Sequence, residues 1–274
     1  MTLAATAGVS EANAAFWNEL CGSGLARTLG INDDSPASLA RFDRWYFDFY
    51  PYLARHIPFA AVAGKRVLEV GLGYGSVAQK LAEAGALYHG LDIAGGPVAM
   101  ARHRLAPLGI AGDVRQGSIL ECPWPDAAFD YVIAIGCYHH TGNLERAIAE
   151  THRILVPGGS AVIMVYNAYS HRRWLRWPLA TARALLAERR GSQAPAASAA
   201  ERAAYDADAA GNAAPETVFV SAHYLKRTMR RWSAVAVARE NADLPGPLRA
   251  IPRRWLLPTL GRWSGLDLYC RAIK

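Results

Sequence analysis

Three clusters in this chain of 274 residues have residue types and spacings that can do chemistry. The first is Glu69-Val70-Gly71-Leu72-Gly73-Tyr74-Gly75, with Asp92 lying 19 residues beyond Gly73. Glycines so spaced let a backbone turn tightly and approach a ligand closely. A helix opening behind them offers unpaired N–H groups. A carboxylate at Asp92 can accept both hydroxyls of a ribose. The loop therefore suits a nucleotide-like ligand, and dehydrogenases share this logic.

The second cluster is Tyr138-His139-His140-Thr141-Gly142-Asn143. A histidine, with an ordinary pKa of about 6.5, can take a proton from a hydroxyl, amine or thiol near neutral pH. His140 is the first choice for that role and His139 the second. Either can instead bond backbone and shape a pocket. Tyr138 can line the reacting site or present its ring face to a cation, and Asn143 should cap a helix. The third cluster is Tyr166-Asn167-Ala168-Tyr169-Ser170-His171-Arg172-Arg173-Trp174. Its Tyr166, Tyr169 and Arg172 are candidates for substrate contact, since arginine binds carboxylate or phosphate. Solvent-facing arginines are the equal alternative. Trp17, Cys21, Trp45 and Tyr46 can roof a pocket or simply pack helices. Cys137 reads as a small hydrophobe, and no spacing suggests a metal site.

The elements that must hold these clusters alternate. Arg66–Val70, Leu87–Asp92, 114–119, 131–135 and 161–166 read as strands, and 77–84, 97–108 and 144–155 as helices. Pro157-Gly158-Gly159 reads as a turn. Strands separated by helices imply a parallel sheet with both faces covered. Ligands in such sheets bind beyond the carboxyl ends of the strands, which is where all three clusters fall. Residues 10–60 are dense in aromatics and should form helices over one end of the sheet. Residues 167–220 are long for a connection and suggest a lid. Within them, 191–215 offer little to bury and need something to hold them. Ser221 should cap a helix reaching Trp232, and 234–239 and 266–273 should close the sheet.

Composition narrows the class. With 52% hydrophobic and 19% charged residues the chain can bury a core. No apolar run approaches the roughly 18 residues of a bilayer span. Residues 1–10 lack the basic start of a secretory signal. Four dispersed cysteines fit a reducing cytoplasm. The net charge of +7 is unevenly spread: residues 167–274 hold 18 Lys and Arg against 8 Asp and Glu. Such a face can be mere solvation, or it can meet an acidic substrate, a membrane or nucleic acid. No RNA-reading module is visible, so nucleic acid is disfavoured, and peripheral membrane contact is open without being favoured. Oligomeric state is not legible.

The segment Arg115-Gln116-Gly117-Ser118-Ile119-Leu120-Glu121-Cys122-Pro123-Trp124-Pro125-Asp126, with Phe129-Asp130-Tyr131-Val132-Ile133, resembles the third and fourth motifs of class I S-adenosylmethionine-dependent methyltransferases. Glu69–Gly75 resembles their first motif, Asp92 their second, and Arg153-Ile154-Leu155-Val156-Pro157-Gly158-Gly159 precedes strand five as theirs does. The likeness runs from about Gly64 to Tyr166. It implies an α/β, Rossmann-like sheet of seven strands, mostly parallel, whose last strand is antiparallel and inserted between five and six. It implies four parts: a helical cap (1–62), a cofactor-binding core (63–166), a lid insertion (167–220) and a C-terminal completion of the sheet (221–274).

The resemblance also implies S-adenosylmethionine as cofactor and S-adenosylhomocysteine as product. Glu69 would meet the methionine ammonium, and Gly71, Gly73 and Gly75 would pass beneath the cofactor. Asp92 would hold the ribose, and Ile93 and Ile119 would flank the adenine. Ser118 would contact the adenine amino group where relatives often carry Asp, and Gly136 would lie beside the methionine portion. The expected acceptor is a small metabolite or natural-product intermediate. Two alternatives stay open: aminocarboxypropyl transfer or cyclisation to azetidine-2-carboxylate with release of methylthioadenosine, and a methyltransferase working on RNA or at a membrane.

Overall fold

The computed structural model describes residues 3–20, 23–110, 112–191 and 196–274. Cys21 lies outside them. Seven strands form one sheet: β1 (Arg66–Val70), β2 (Leu87–Asp92), β3 (Asp113–Gln116), β4 (Phe129–Ile135), β5 (Leu155–Tyr166), β6 (Ala234–Glu240) and β7 (Asp267–Ile273). Their order is β3-β2-β1-β4-β5-β7-β6. β7 runs antiparallel to both β5 and β6, and the other pairs are parallel. The expected inverted last strand is therefore present at the expected place. Val67, Leu68, Val132, Ile133, Ile163 and Val165 are buried because helices cover both faces.

Three boundaries differ from expectation. β3 stops at Gln116, because Ser118 turns its hydroxyl to accept from the Leu120 N–H at 3.2 Å and starts a 3-10 turn. Pro157-Gly158-Gly159 lies inside β5 as an irregularity rather than as a separate turn: the register shifts there, and the Gly158 N–H donates to the Lys274 carbonyl. The helix capped by Ser221 ends at Thr228, short of Trp232.

Two layers sit over the carboxyl ends of the parallel strands. The N-terminal layer includes the helix Pro36–Phe49, opened by Ser35 as its N-cap. Asp43 on this helix accepts from both terminal nitrogens of Arg104, at 2.8 and 3.0 Å, and from the Ser76 hydroxyl. Arg104 is buried on the core helix Gly95–Leu105. The second layer is the insertion after β5. Pro178 splits it into helices His171–Arg176 and Pro178–Arg189, as a proline without a backbone N–H should. Residues 196–215 are better held than their composition suggests. Ser198 and Glu201 form a capping box on Ala199–Ala203, and Glu201 pairs with buried Arg173 at 2.8 Å. Among the described residues no helix is long and apolar enough to cross a membrane.

The Asp43–Arg104 pair ties the helix Pro36–Phe49 to the core helix Gly95–Leu105. Removing one partner of a buried pair strands the other charge in a medium that solvates it poorly. Asp43→Ala is therefore expected to cost about 3 kcal/mol and to lower the thermal midpoint by about 10 °C, read by calorimetry. An unchanged midpoint would show that the cap is held by its aromatic contacts alone.

Candidate active site

A cavity of about 950 Å³ opens over the carboxyl ends of β1, β2 and β4. Its floor is the turn after β1. Gly71 has φ of +78°, and a Cβ there would fall 2.7 Å from Cys137 Cβ, so only glycine lets this turn lie against the one that follows β4. Gly75 does not line the cavity. A Cβ there would meet Arg104 Cδ at 2.7 Å, so this glycine serves the passage of Arg104 instead of a ligand. Gly73, Ile93, Ser118, Ile119 and Gly136 do line the cavity.

Two carboxyls sit in the floor. Asp92 ends β2 and accepts from the backbone N–H of Leu72 at 2.7 Å and of Ala94 at 2.9 Å. Burial pushes its pKa up to about 6, against these hydrogen bonds. Glu69 accepts from the Tyr88 hydroxyl at 2.7 Å, and burial pushes it up to about 8. Both are buried and both face the cavity.

The histidine pair divides. His139 is fully buried, does not line the cavity, and among the described residues has no hydrogen-bond partner for either ring nitrogen. Burial, then His140, drives its pKa well below the ordinary value, which leaves it a neutral packing ring against His140 and Tyr166. His140 lines the cavity. Its Nδ1 lies 2.7 Å from the Glu216 carbonyl, an acceptor, so Nδ1 carries the hydrogen and Nε2 keeps a lone pair. Nε2 faces Asp206 Oδ2 at 3.5 Å. Burial lowers the His140 pKa, and Asp206 opposes that. Trp17 packs on the His140 ring at 4.7 Å.

Other candidates move. Tyr138 lines the cavity, but its hydroxyl is spent on Thr151 Oγ1 at 2.6 Å, so that group does not face a ligand. Tyr166 stands behind the wall and donates to Asp206 Oδ1 at 3.1 Å. Tyr169 and Arg172 are not at the cavity. The Tyr169 hydroxyl donates to Glu188, and Arg172 donates to Asp243 and the Ala204 carbonyl, because the helix that follows turns them outward. Tyr46 lines the cavity. Asp206 and Asn13 were missed. Asn13 donates to the His140 carbonyl and leaves its own Oδ1 buried without a partner. Asp206 had one signal: it follows the Ser198–Glu201 capping box, a mark of ordered chain.

Residues 68–163 match the Methyltransferase domain family. That stretch lies within the region that resembles the class I S-adenosylmethionine-dependent methyltransferases. The chain is 30% identical over 124 residues to the demethylmenaquinone methyltransferase of Tropheryma whipplei, covering 43% of this chain and 51% of that one. It is 31% identical over 109 residues to the ubiquinone biosynthesis O-methyltransferase of Pseudomonas aeruginosa, covering 39% and 47%. It thus spans about half the length of the curated relatives it matches. A SAM dependent methyltransferase from Archaeoglobus fulgidus shares the fold, with a TM-score of 0.53 at 15% identity over 84% of this chain and 98% of that one.

The cavity fits S-adenosylmethionine by its chemistry. S-adenosylmethionine brings an ammonium and a sulfonium, and this cavity holds desolvated carboxyls that have no cationic partner among the described residues. A Cβ at Gly73 or Gly136 would meet no protein atom within 4 Å, so both leave open floor for a ligand.

The raised Glu69 makes binding pH-dependent. At pH 7 the free protein holds a proton on Glu69, whose pKa is about 8 against an ordinary 4.5. A ligand ammonium favours the ionised form, so cofactor binding at pH 7 should release a proton and tighten as pH rises toward 8. The stability sign is opposite. A carboxyl raised in the folded state contributes stability that is whole below 4.5 and lost as pH climbs through about 8. Glu69→Gln should therefore stabilise the free protein above pH 8, weaken S-adenosylhomocysteine binding and abolish the proton release. Calorimetry in buffers of different ionisation enthalpy measures all three. Proton release that persists in Glu69→Gln would place the titrating group elsewhere.

Proposed function

We propose that this protein methylates a small, largely apolar acceptor through an ionisable hydroxyl, with His140 as the proton acceptor. The observation that carries this reading is His140 itself. Its tautomer is fixed by the Glu216 carbonyl, its ring lines the cavity with Nε2 turned toward Asp206 at 3.5 Å, and the Glu69 and Asp92 carboxyls lie in the same cavity. Asp92 takes the ribose and Glu69 the ammonium, with Gly71, Gly73 and Gly136 beneath and Ile93, Ser118 and Ile119 around the adenine. The bound cofactor supplies an electrophilic methyl. Trp17, Phe42, Tyr46 and Tyr74 give the acceptor side aromatic walls. The two quinone-pathway names among the relatives agree with a flat, apolar acceptor.

The chain's own contribution is position, dryness and one proton. Holding acceptor and methyl donor in line removes most of the entropic barrier, and a roof from two segments excludes water. Burial keeps His140 neutral at pH 7, ready to accept at Nε2. The charge it then gains faces Asp206, which Tyr166 orients.

Mass spectrometry with candidate quinols and phenols should show S-adenosylhomocysteine and methylated product in equal amounts. Methylthioadenosine formed without acceptor would select intramolecular cyclisation to azetidine-2-carboxylate, and methylthioadenosine formed only with acceptor would select aminocarboxypropyl transfer. His140→Ala should lower kcat by about 10²- to 10⁴-fold with little change in cofactor affinity. Asp206 raises the His140 pKa, so Asp206→Asn should move the acidic limb of the rate profile to lower pH. If kcat survives both changes, His140 is not the base. Asp92→Ala should weaken S-adenosylhomocysteine binding by about 2–3 kcal/mol, and unchanged affinity would refute the ribose contact.

A further inference from the structure

The outer side of the insertion has a composition that the cavity does not explain. In helices His171–Arg176 and Pro178–Arg189 the inward residues are His171, Arg173, Thr181 and Ala184. On the outside Trp174, Leu175, Leu179 and Leu186 are 39%, 61%, 73% and 49% exposed. Between and beyond them Arg176, Arg183, Arg189 and Arg190 are exposed, and none of the four forms an ion pair among the described residues. Glu188 is the one acid from Trp174 to Gly191. Both its carboxylate oxygens are turned away from this face, to the hydroxyls of Tyr169 and Ser221. Leu179, Arg183, Leu186 and Arg190 recur at helical spacing, so apolar and cationic groups share one stripe.

The chemistry of the stripe decides its occupant. A protein interface depletes charge at its centre, and here arginines stand among the leucines. A nucleic acid would take the arginines and leave four large apolar side chains wet. A lipid surface satisfies both sets at once. Leucine and tryptophan enter the boundary between headgroup and acyl chain, and guanidinium groups meet lipid phosphates. With 6 and 12 residues the helices are too short to span a bilayer, so they would lie on it. The segment touched by His171 adds to the apolar exposure: Trp263, 79% exposed, precedes Ser264, whose carbonyl lies 2.7 Å from His171 Nδ1. We infer that the helix pair His171–Arg189 docks this protein peripherally on an anionic membrane surface.

The test is co-sedimentation of the full chain with phosphatidylcholine vesicles, with and without phosphatidylglycerol. Binding is expected only with phosphatidylglycerol, and it should weaken as salt rises. The double variant Leu175→Glu/Leu179→Glu should bind roughly tenfold or more weakly. Arg183→Glu/Arg190→Glu, wholly on the surface, should do the same if the leucine variant proves unstable. Both pairs lie outside the cavity, so S-adenosylhomocysteine affinity should not change in either. No vesicle binding by the wild type overturns the inference, as does equal binding by both variants. A dimer in sedimentation velocity that the leucine variant dissociates would overturn it too, by assigning the face to a second copy. Tighter binding to tRNA than to vesicles would likewise assign the arginines elsewhere.

Discussion

Two carboxyls that the protein does not neutralise govern the arrangement above the sheet. Glu69 and Asp92 are carried into a dry hollow by the ends of β1 and β2, and burial is the first cause of both raised pKa values. A fold selected only for stability would place an arginine there, as this one does for Asp43. The sheet instead holds Asp92 with backbone N–H donors and Glu69 with a tyrosine hydroxyl, which satisfy hydrogen bonds without supplying positive charge. Under the proposed reading the cofactor ammonium brings that positive charge, so one contact would supply both binding energy and charge selectivity.

The same hollow needs a roof, and the roof and the proposed base are one structure. Asn13 donates to the His140 carbonyl from the N-terminal layer. The Glu216 carbonyl sets the His140 tautomer from the insertion, and the Val218 N–H donates to the His139 carbonyl. Two chain segments thus converge on two consecutive residues. A shift of the insertion would change water access and the availability of Nε2 together.

What was legible in the sequence follows from the range of the interactions involved. β1 and β2 are short apolar runs bounded by glycine turns, and local pattern fixes both to the residue. The antiparallel β7 followed from the family likeness, because nothing local distinguishes it from a parallel strand. Asn143 and Ser221 cap helices through contacts three residues away, well within reach of pattern. Asp206 acts across 66 residues on His140, and Asp43 across 61 on Arg104, so no local rule flags either. Tyr166, Tyr169 and Arg172 show the limit from the other side. Chain geometry correctly brings their segment to the ligand-binding edge. Side-chain direction in the following helix then turns Tyr169 and Arg172 outward, and Asp206 occupies the place assigned to them.

The basic excess of the C-terminal part resolves along the same line. Its arginines do not enter the cavity to meet an acidic substrate. Arg173 is consumed inside the insertion by Glu201, and Arg172 by Asp243. Arg176, Arg183, Arg189 and Arg190 remain outside. The insertion is therefore electrically two-sided: its inner lip offers Asp206 to the cavity, and its outer face offers cations and leucines. With an acidic lip and a basic back on one segment, the proposed cationic cofactor and the proposed anionic surface would meet different groups.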